Sequence, residues 1–268
     1  MGASIAAIIA SAGSSARMAG GTGGIKKEYL ELPSLLKEGK PLTVLGAVVS
    51  ALTSCPGIGP IVISVPAGGE SAALTSLPAE LRSAKPCSGE LYFGEDHPHR
   101  RILFVTGGPT RRSSVHNALS LLETADDLRC CEVSHVLIHD GARPWVSRDL
   151  IERIIETTIR FGAAIPALPL NETPKELCSG ELENCEDVKF IKRHLKRGSL
   201  CIAQTPQGFK FPEILRAHEK AAEREKTENL EYTDDAEVWG EFIGKVAVIS
   251  GDPANRKITY PGDLGSRK

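Results

Sequence analysis

Val133-Ser134-His135-Val136-Leu137-Ile138-His139-Asp140-Gly141-Ala142-Arg143-Pro144 is a largely apolar run that ends abruptly in an acidic and a basic side chain. A short continuous apolar run of this kind reads as a strand buried on both faces, as in a parallel sheet. The residues after Pro144 read as a helix: Ser147 is placed as N-cap, Asp149 lies in the first turn, and Leu150, Ile151, Ile154 and Ile155 recur at helical spacing towards Gly162. Asp140 and Arg143 are therefore expected at the carboxyl end of a buried strand, where open α/β sheets bind their ligands.

Working outward, Ile5 to Ala10 is a second buried strand that runs into small residues, Ile61 to Val65 a third and Ile102 to Thr106 a fourth. Between them Val44, Leu45, Val48, Val49 and Leu52 fall at helical spacing, as do Val115, Ala118, Leu119 and Leu122. Residues 67 to 100 carry one helix near 70 to 82 in a stretch rich in Gly, Ser, Pro and charge. A helix from Pro212 to about Glu225, a turn of helix capped by Thr233 and a strand from Val246 to Ile249 complete the pattern. This alternation predicts an α/β chain: a mostly parallel sheet with helices on both faces. At 268 residues and 41% apolar content, one domain over 1-268 is the simplest reading. Residues 171-199 break the pattern, being polar, acidic and then basic, and they are too long for an ordinary connection, so they read as a functional arm.

The net charge of −2 gives no general attraction to nucleic acid. No apolar run approaches the roughly 20 residues that span a bilayer, and the amino-terminal residues do not have the order of a secretory signal. A soluble, cytoplasmic protein without a membrane partner is expected. The seven cysteines are scattered and include no CxxC pair, so free thiols are expected rather than a zinc site or a disulfide scaffold.

Three segments carry candidate chemistry. Ser11-Ala12-Gly13-Ser14-Ser15-Ala16-Arg17-Met18 follows the first strand, and its small side chains let backbone N–H groups approach an anion. It ends in neither the Gly-Lys-Ser/Thr of a Walker loop nor the GxGxxG of dinucleotide folds. A tight strand-to-helix turn explains it equally well, until Arg17 and Lys27 add two cations suited to a triphosphate. Thr106 to Ser114 joins a strand to a helix, either as a plain turn capped by Ser113 or Ser114 or as a surface for a base edge. Asp140 can bind magnesium or cap a turn, and Arg143 can hold a phosphate or form a structural ion pair. Neither a Ser-His-Asp nor a Cys-His arrangement is evident. Together with Thr173, Lys175, Arg197, Gln204-Thr205-Pro206-Gln207, Thr233-Asp234-Asp235 and Asn255-Arg256-Lys257-Ile258-Thr259, these segments form an ordered series.

From Ile5 to Leu264 that series resembles the 2-C-methyl-D-erythritol 4-phosphate cytidylyltransferase family of isoprenoid biosynthesis, most closely at His139 to Pro144, Gln204 to Gln207 and Asn255 to Thr259. The resemblance implies a Rossmann-like nucleotidyltransferase sheet with an extended dimerisation arm, and hence a homodimer. It implies that Ala12, Gly13, Ser14 and Ser15 wrap the CTP phosphates, that Gly108 and Ser114 read cytosine and ribose, and that Arg17, Lys27 and Lys257 are catalytic. It further implies that Asp140, Arg143, Thr173, Arg197 and Thr205 hold the sugar-alcohol phosphate, with Mg²⁺ as cofactor and Asp140 its ligand. A ribitol 5-phosphate cytidylyltransferase and a nucleotide-binding protein without catalysis are the alternatives. The chain departs from the family pattern in several places. Ser15 stands where a glycine is common, Ala19 to Gly24 lengthen the loop, Pro109 replaces a frequent aspartate, and Gly141 replaces an alanine. Ile25-Lys26-Lys27-Glu28 replaces the usual Pro-Lys-Gln, so that Lys26 competes with Lys27 for the catalytic position.

Overall fold

The computed structural model describes residues 4–14, 24–37, 39–82, 90–92, 101–125, 132–178, 188–228 and 230–264. In chain order the elements are β1 (Ser4–Ala10), β2 (Glu31–Lys37), β3 (Lys40–Thr43), α1 (Val44–Thr53), β4 (Ile58–Val65), α2 (Glu70–Ser76), β5 (Glu90–Tyr92), β6 (Arg101–Thr106), α3 (Arg111–Thr124) and β7 (Val133–Asp140). They continue with α4 (Arg148–Phe161), β8 (Ala163–Pro169), β9 (Lys175–Leu177), β10 (Ile191–His194), β11 (Cys201–Ala203), β12 (Gln207–Lys210), α5 (Glu213–Glu228), α6 (Asp235–Phe242) and β13 (Ala247–Ser250).

The central sheet runs β11-β8-β12-β7-β1-β4-β6-β5, with β13 paired to β8. Its middle four strands, β7, β1, β4 and β6, are parallel. Strand order reverses between β1 and β7, since β4 and β6 extend the sheet to one side and β7 to the other. Such a switch point opens a crevice at the carboxyl ends of the strands. Beyond β7 the sheet turns mixed, because β12 lies antiparallel between β7 and β8 while β13 runs parallel to β8.

Alternation along β1 shows why helices cover both faces. Ile5, Ala7 and Ile9 pack with Leu45, Val48 and Leu52 of α1 and with Leu150, Ile151 and Ile154 of α4. Ala6 and Ile8 point the other way, onto Val115 and Leu119 of α3, Ile214 and Leu215 of α5 and Trp239 of α6. Both sets are buried, as a two-period strand with two apolar faces requires.

The helix signals hold in detail at α4. Ser147 Oγ accepts from Leu150 N–H at 3.3 Å, and Gly162 closes the helix at φ 85°, the left-handed region that favours glycine. Elsewhere the boundaries move. The helix expected over 70 to 82 is α2 followed by a separate 3-10 turn at Ala79–Leu81. Asp234, not Thr233, caps α6 by accepting from Ala236 N–H at 3.1 Å. Thr110, not Ser113 or Ser114, caps α3, with Ser113 completing a reciprocal capping box.

Within the 171-199 segment, β9 and β10 form their own antiparallel ladder apart from the central sheet. Glu176 ties it together by pairing with Lys192 and Arg193 at 2.8 and 2.7 Å. Leu177, Val188, Phe190 and Ile191 are exposed on it. The acidic stretch at 181–187 lies outside the described residues. Cys55, Cys178 and Cys201 are free thiols, and the other four cysteines also lie outside. Among the described residues no helix is long and apolar enough to cross a membrane.

Candidate active site

A cavity of about 790 Å³ opens at the switch point. Ala12, Gly13 and Ser14 line it from the end of β1, Gly108, Arg111 and Ser114 from the β6–α3 junction, and Asp140 from the end of β7. Lys27 and Glu28 come from the turn before β2, Tyr232 and Thr233 from the turn before α6, and Lys257 and Thr259 from the segment after β13. The two glycine-bearing loops touch at the cavity floor. A Cβ built on Gly107 would stand 2.2 Å from Ala12 Cβ, so only glycine allows the β1 loop to close on the β6 loop. Ser114 Oγ accepts from Gly108 N–H at 3.1 Å and fixes that turn, while Pro109 beside it has no N–H to donate.

Asp140 lies at the centre of the charge. Its carboxylate is 7% exposed and faces three cations: Lys257 Nζ at 3.0 Å, Arg111 Nε at 3.3 Å and Arg143 Nε at 3.4 Å. Burial alone would raise its pKa, but Arg111, Lys257 and Arg143 together hold it well below the usual carboxylate range. Arg111 also pairs with the buried Asp235 at 2.7 Å, and Asp235 in turn lies 3.3 Å from His218 Nε2. The two carboxylates outweigh the burial that would otherwise depress the guanidinium's pKa and push it up instead.

The motif segments beside the cavity hold its walls in place. His139 is fully buried, and that burial pushes its pKa down to about 4, so it is neutral. Its Nε2 lies 3.1 Å from the Arg143 carbonyl and must donate, which leaves Nδ1 to accept from Thr205 Oγ1 at 3.0 Å. The same Thr205 hydroxyl accepts from Asp140 N–H at 3.0 Å. Asn255, also fully buried, donates to the Thr205 carbonyl at 2.7 Å and accepts at its own carbonyl from Arg143 at 2.9 Å and Gln204 at 3.2 Å. Gln207 accepts from Ala236 N–H at 3.1 Å and so locks the start of α6. Ile258 N–H donates to the Ala142 carbonyl at 2.8 Å, and Lys27 Nζ to the Ile258 carbonyl at 2.9 Å. Lys27 is thereby held beside Lys257, and burial, chiefly, pushes its pKa down.

Ala12, Gly13, Ser14, Lys27, Gly108, Ser114, Asp140 and Lys257 thus converge as expected. Arg143 and Thr205 sit behind Asp140 and orient it. Thr173 and Arg197 are exposed on the arm, where Arg197 donates to the Asn171 carbonyl at 2.7 Å, and neither is among the described lining residues. Arg17 and Ser15 lie outside the described residues. Arg111 is missing from the residues expected on sequence grounds, although it meets both buried carboxylates. Its one signal is its place directly after the Thr110 cap, at the end of a strand that leads into the crevice.

The expectation that Asp140 ligates magnesium does not fit this donor set. Both its oxygens already face cations, and a divalent ion there would stand among three positive charges. Among the described residues no group of three or more His, Cys, Asp and Glu side chains surrounds a metal position.

Gly107→Ala is expected to force the two loops apart and to destabilise the protein by about 1 to 3 kcal/mol, the usual scale of overpacking. Thermal unfolding checks this, and an unchanged midpoint would show that the loops do not abut.

The profile of the family described as 2-C-methyl-D-erythritol 4-phosphate cytidylyltransferase matches residues 5–267. A bifunctional enzyme IspD/IspF from Anaeromyxobacter sp. is 30% identical over 260 residues, which cover 97% of this chain and 55% of that protein. A Brucella abortus protein of the same name is 32% identical over 223 residues, 82% of this chain and 48% of its own length. The chain spans about half the length of these bifunctional relatives. The solved 2-C-methyl-D-erythritol 4-phosphate cytidylyltransferase of Thermus thermophilus shares 27% identity at a TM-score of 0.61, over 98% of this chain and 96% of that one. The Francisella tularensis structure shares the fold at a TM-score of 0.68 and 24% identity, over 98% and 97%. With its profile matched along nearly the whole length and its motif residues gathered around one cavity, the chain belongs to the 2-C-methyl-D-erythritol 4-phosphate cytidylyltransferase family.

Proposed function

We propose that this protein transfers the cytidylyl group of CTP to 2-C-methyl-D-erythritol 4-phosphate, giving 4-diphosphocytidyl-2-C-methyl-D-erythritol and pyrophosphate. The observation that carries the reading is the meeting of Lys27 and Lys257 with a small-residue loop in one cavity at the switch point. The second pKa of a phosphate monoester is about 6, so the sugar phosphate is ionised near neutrality and needs no strong base. Its oxygen attacks the α-phosphorus of CTP, a new P–O bond forms, and the bond to the bridging oxygen breaks to release pyrophosphate. The obstacle is repulsion between anions, which preorganised cations reduce most in the transition state.

In this reading the backbone of Ala12, Gly13, Ser14 and Ser15 cradles the triphosphate, and Arg17 and Lys27 meet the charge that develops on the departing pyrophosphate. Lys257 stands nearest the reacting phosphorus. Gly108 and Ser114 face the cytosine and ribose, while Asp140 forms the wall for the sugar phosphate, with Arg143 and Thr205 holding it in place. Magnesium would accompany the nucleotide and would offset part of the phosphate charge. The protein is proposed to act in the cytoplasm as a homodimer whose arm, through Thr173 and Arg197, reaches the partner's sugar-phosphate site. The exposed apolar side chains of the arm support that role, and a two-fold exchange satisfies both copies at once.

Purified protein given magnesium, CTP and 2-C-methyl-D-erythritol 4-phosphate should release pyrophosphate. Because burial lowers the Lys27 pKa, the rate should begin to fall on the alkaline side below the ordinary lysine value of 10.5. Release with ribitol 5-phosphate alone would transfer the assignment to that substrate, and CTP binding without release would indicate a nucleotide-binding protein.

Mixing inactive Arg197→Ala and Lys257→Ala subunits under exchange conditions should restore part of the activity, since one site of each mixed dimer would carry neither lesion. Verified exchange without recovery would place Arg197 in its own subunit's site.

A further inference from the structure

Glu28 is out of character for the cavity it lines. It is a carboxylate, 3% exposed, on the wall that the proposed reading gives to a triphosphate. Left uncompensated it would repel the nucleotide, although it also supports the neighbouring Lys27 ammonium against burial. Lys26 stands on the other side of Lys27, with its Nζ 2.8 Å from Glu28 Oε2. The same ammonium donates to the carbonyl oxygen of Gly13, in the small-residue loop. Lys26 is not among the described lining residues of the cavity. An acid and a base therefore contact each other at the edge of the cavity wall.

We propose that Lys26 is a positioning residue for nucleotide binding. It neutralises Glu28 and fastens the Lys26–Tyr29 turn to Gly13, so that the triphosphate meets the charge of Lys27 without opposition from the carboxylate. Removing the cation of a close pair costs more than removing both charges, which is often nearly neutral. The single loss should accordingly exceed the double loss.

This inference rests on the proposed use of CTP, and the test separates the two. Wild-type CTP binding and turnover report on the reading, while ratios among variants report on the pair. Lys26→Met keeps the apolar stem but loses charge and hydrogen bond, and Lys26→Gln loses the charge but keeps a donor. At low ionic strength each is expected to weaken CTP affinity and raise its KM on the order of tenfold, the scale of one unit charge near a partly buried site, with kcat little changed. Adding Glu28→Gln to either should recover most of the loss. CMP, which lacks the two outer phosphates, should respond less than CTP in every variant. Unchanged CTP affinity in both Lys26 variants would overturn the proposal, as would a loss that Glu28→Gln does not relieve. Thermal unfolding run alongside identifies any variant that fails to fold, and the second Lys26 substitution then carries the comparison.

Discussion

The site depends on one buried anion. Asp140 gathers Arg111, Arg143 and Lys257 within 3.4 Å, and these three come from different parts of the chain. Without the carboxylate, three cations at the end of β7 would repel one another. With it they form a positive rim oriented before any substrate arrives, Arg143 and Arg111 partly buried and Lys257 open to solvent. Preorganised charge of this kind is what transfer between two anions needs.

The surrounding polar network follows from that anion. Thr205 holds the Asp140 N–H and is itself held by a neutral His139, whose other nitrogen fixes the Arg143 carbonyl. Asn255 links the Thr205 carbonyl to Arg143 and so carries Lys257 to the site two residues later. The Gln204 to Gln207 and Asn255 to Thr259 motifs are therefore largely structural ties that set the positions of two or three charged groups. On the far side, the Arg111 pair with Asp235 joins the rim to α6. The sheet supplies the frame: the reversal between β1 and β7 leaves the crevice into which all of these point.

The parallel centre of the fold was legible because its strands are short apolar runs, buried on two faces at Ile5 to Ile9 and at Ile61 to Ile63. The antiparallel flank was not. β8 is built from alanine and proline around Ile165, and β12 spans only Gln207 to Lys210, so neither has a period to read. The β2–β3 hairpin pairs mostly exposed residues with an irregular register. In the site, small-residue loops and the order of motifs pointed to segments that line one cavity. Arg111 stayed hidden because an arginine at a helix start looks like a solvated charge until the carboxylates from β7 and α6 are seen to converge on it. Asp140 was legible as a residue at the strand end that lines the cavity, but its setting was not, since Arg111, Arg143 and Lys257 meet only in the folded chain.

The role of Asp140 is most directly tested by metal titration with Mn²⁺ as a spectroscopic substitute for Mg²⁺, on wild-type protein and Asp140→Asn, each with and without CTP. If Asp140 organises charge, neither protein binds the ion without nucleotide and both CTP complexes bind it equally. Asp140→Asn should meanwhile unfold more readily by about 1 to 3 kcal/mol, the scale of leaving partly buried donors without their acceptor, since Arg111 keeps Asp235 and Lys257 is exposed. Metal binding by the nucleotide-free wild type that disappears in Asp140→Asn would contradict the account and make Asp140 a metal ligand.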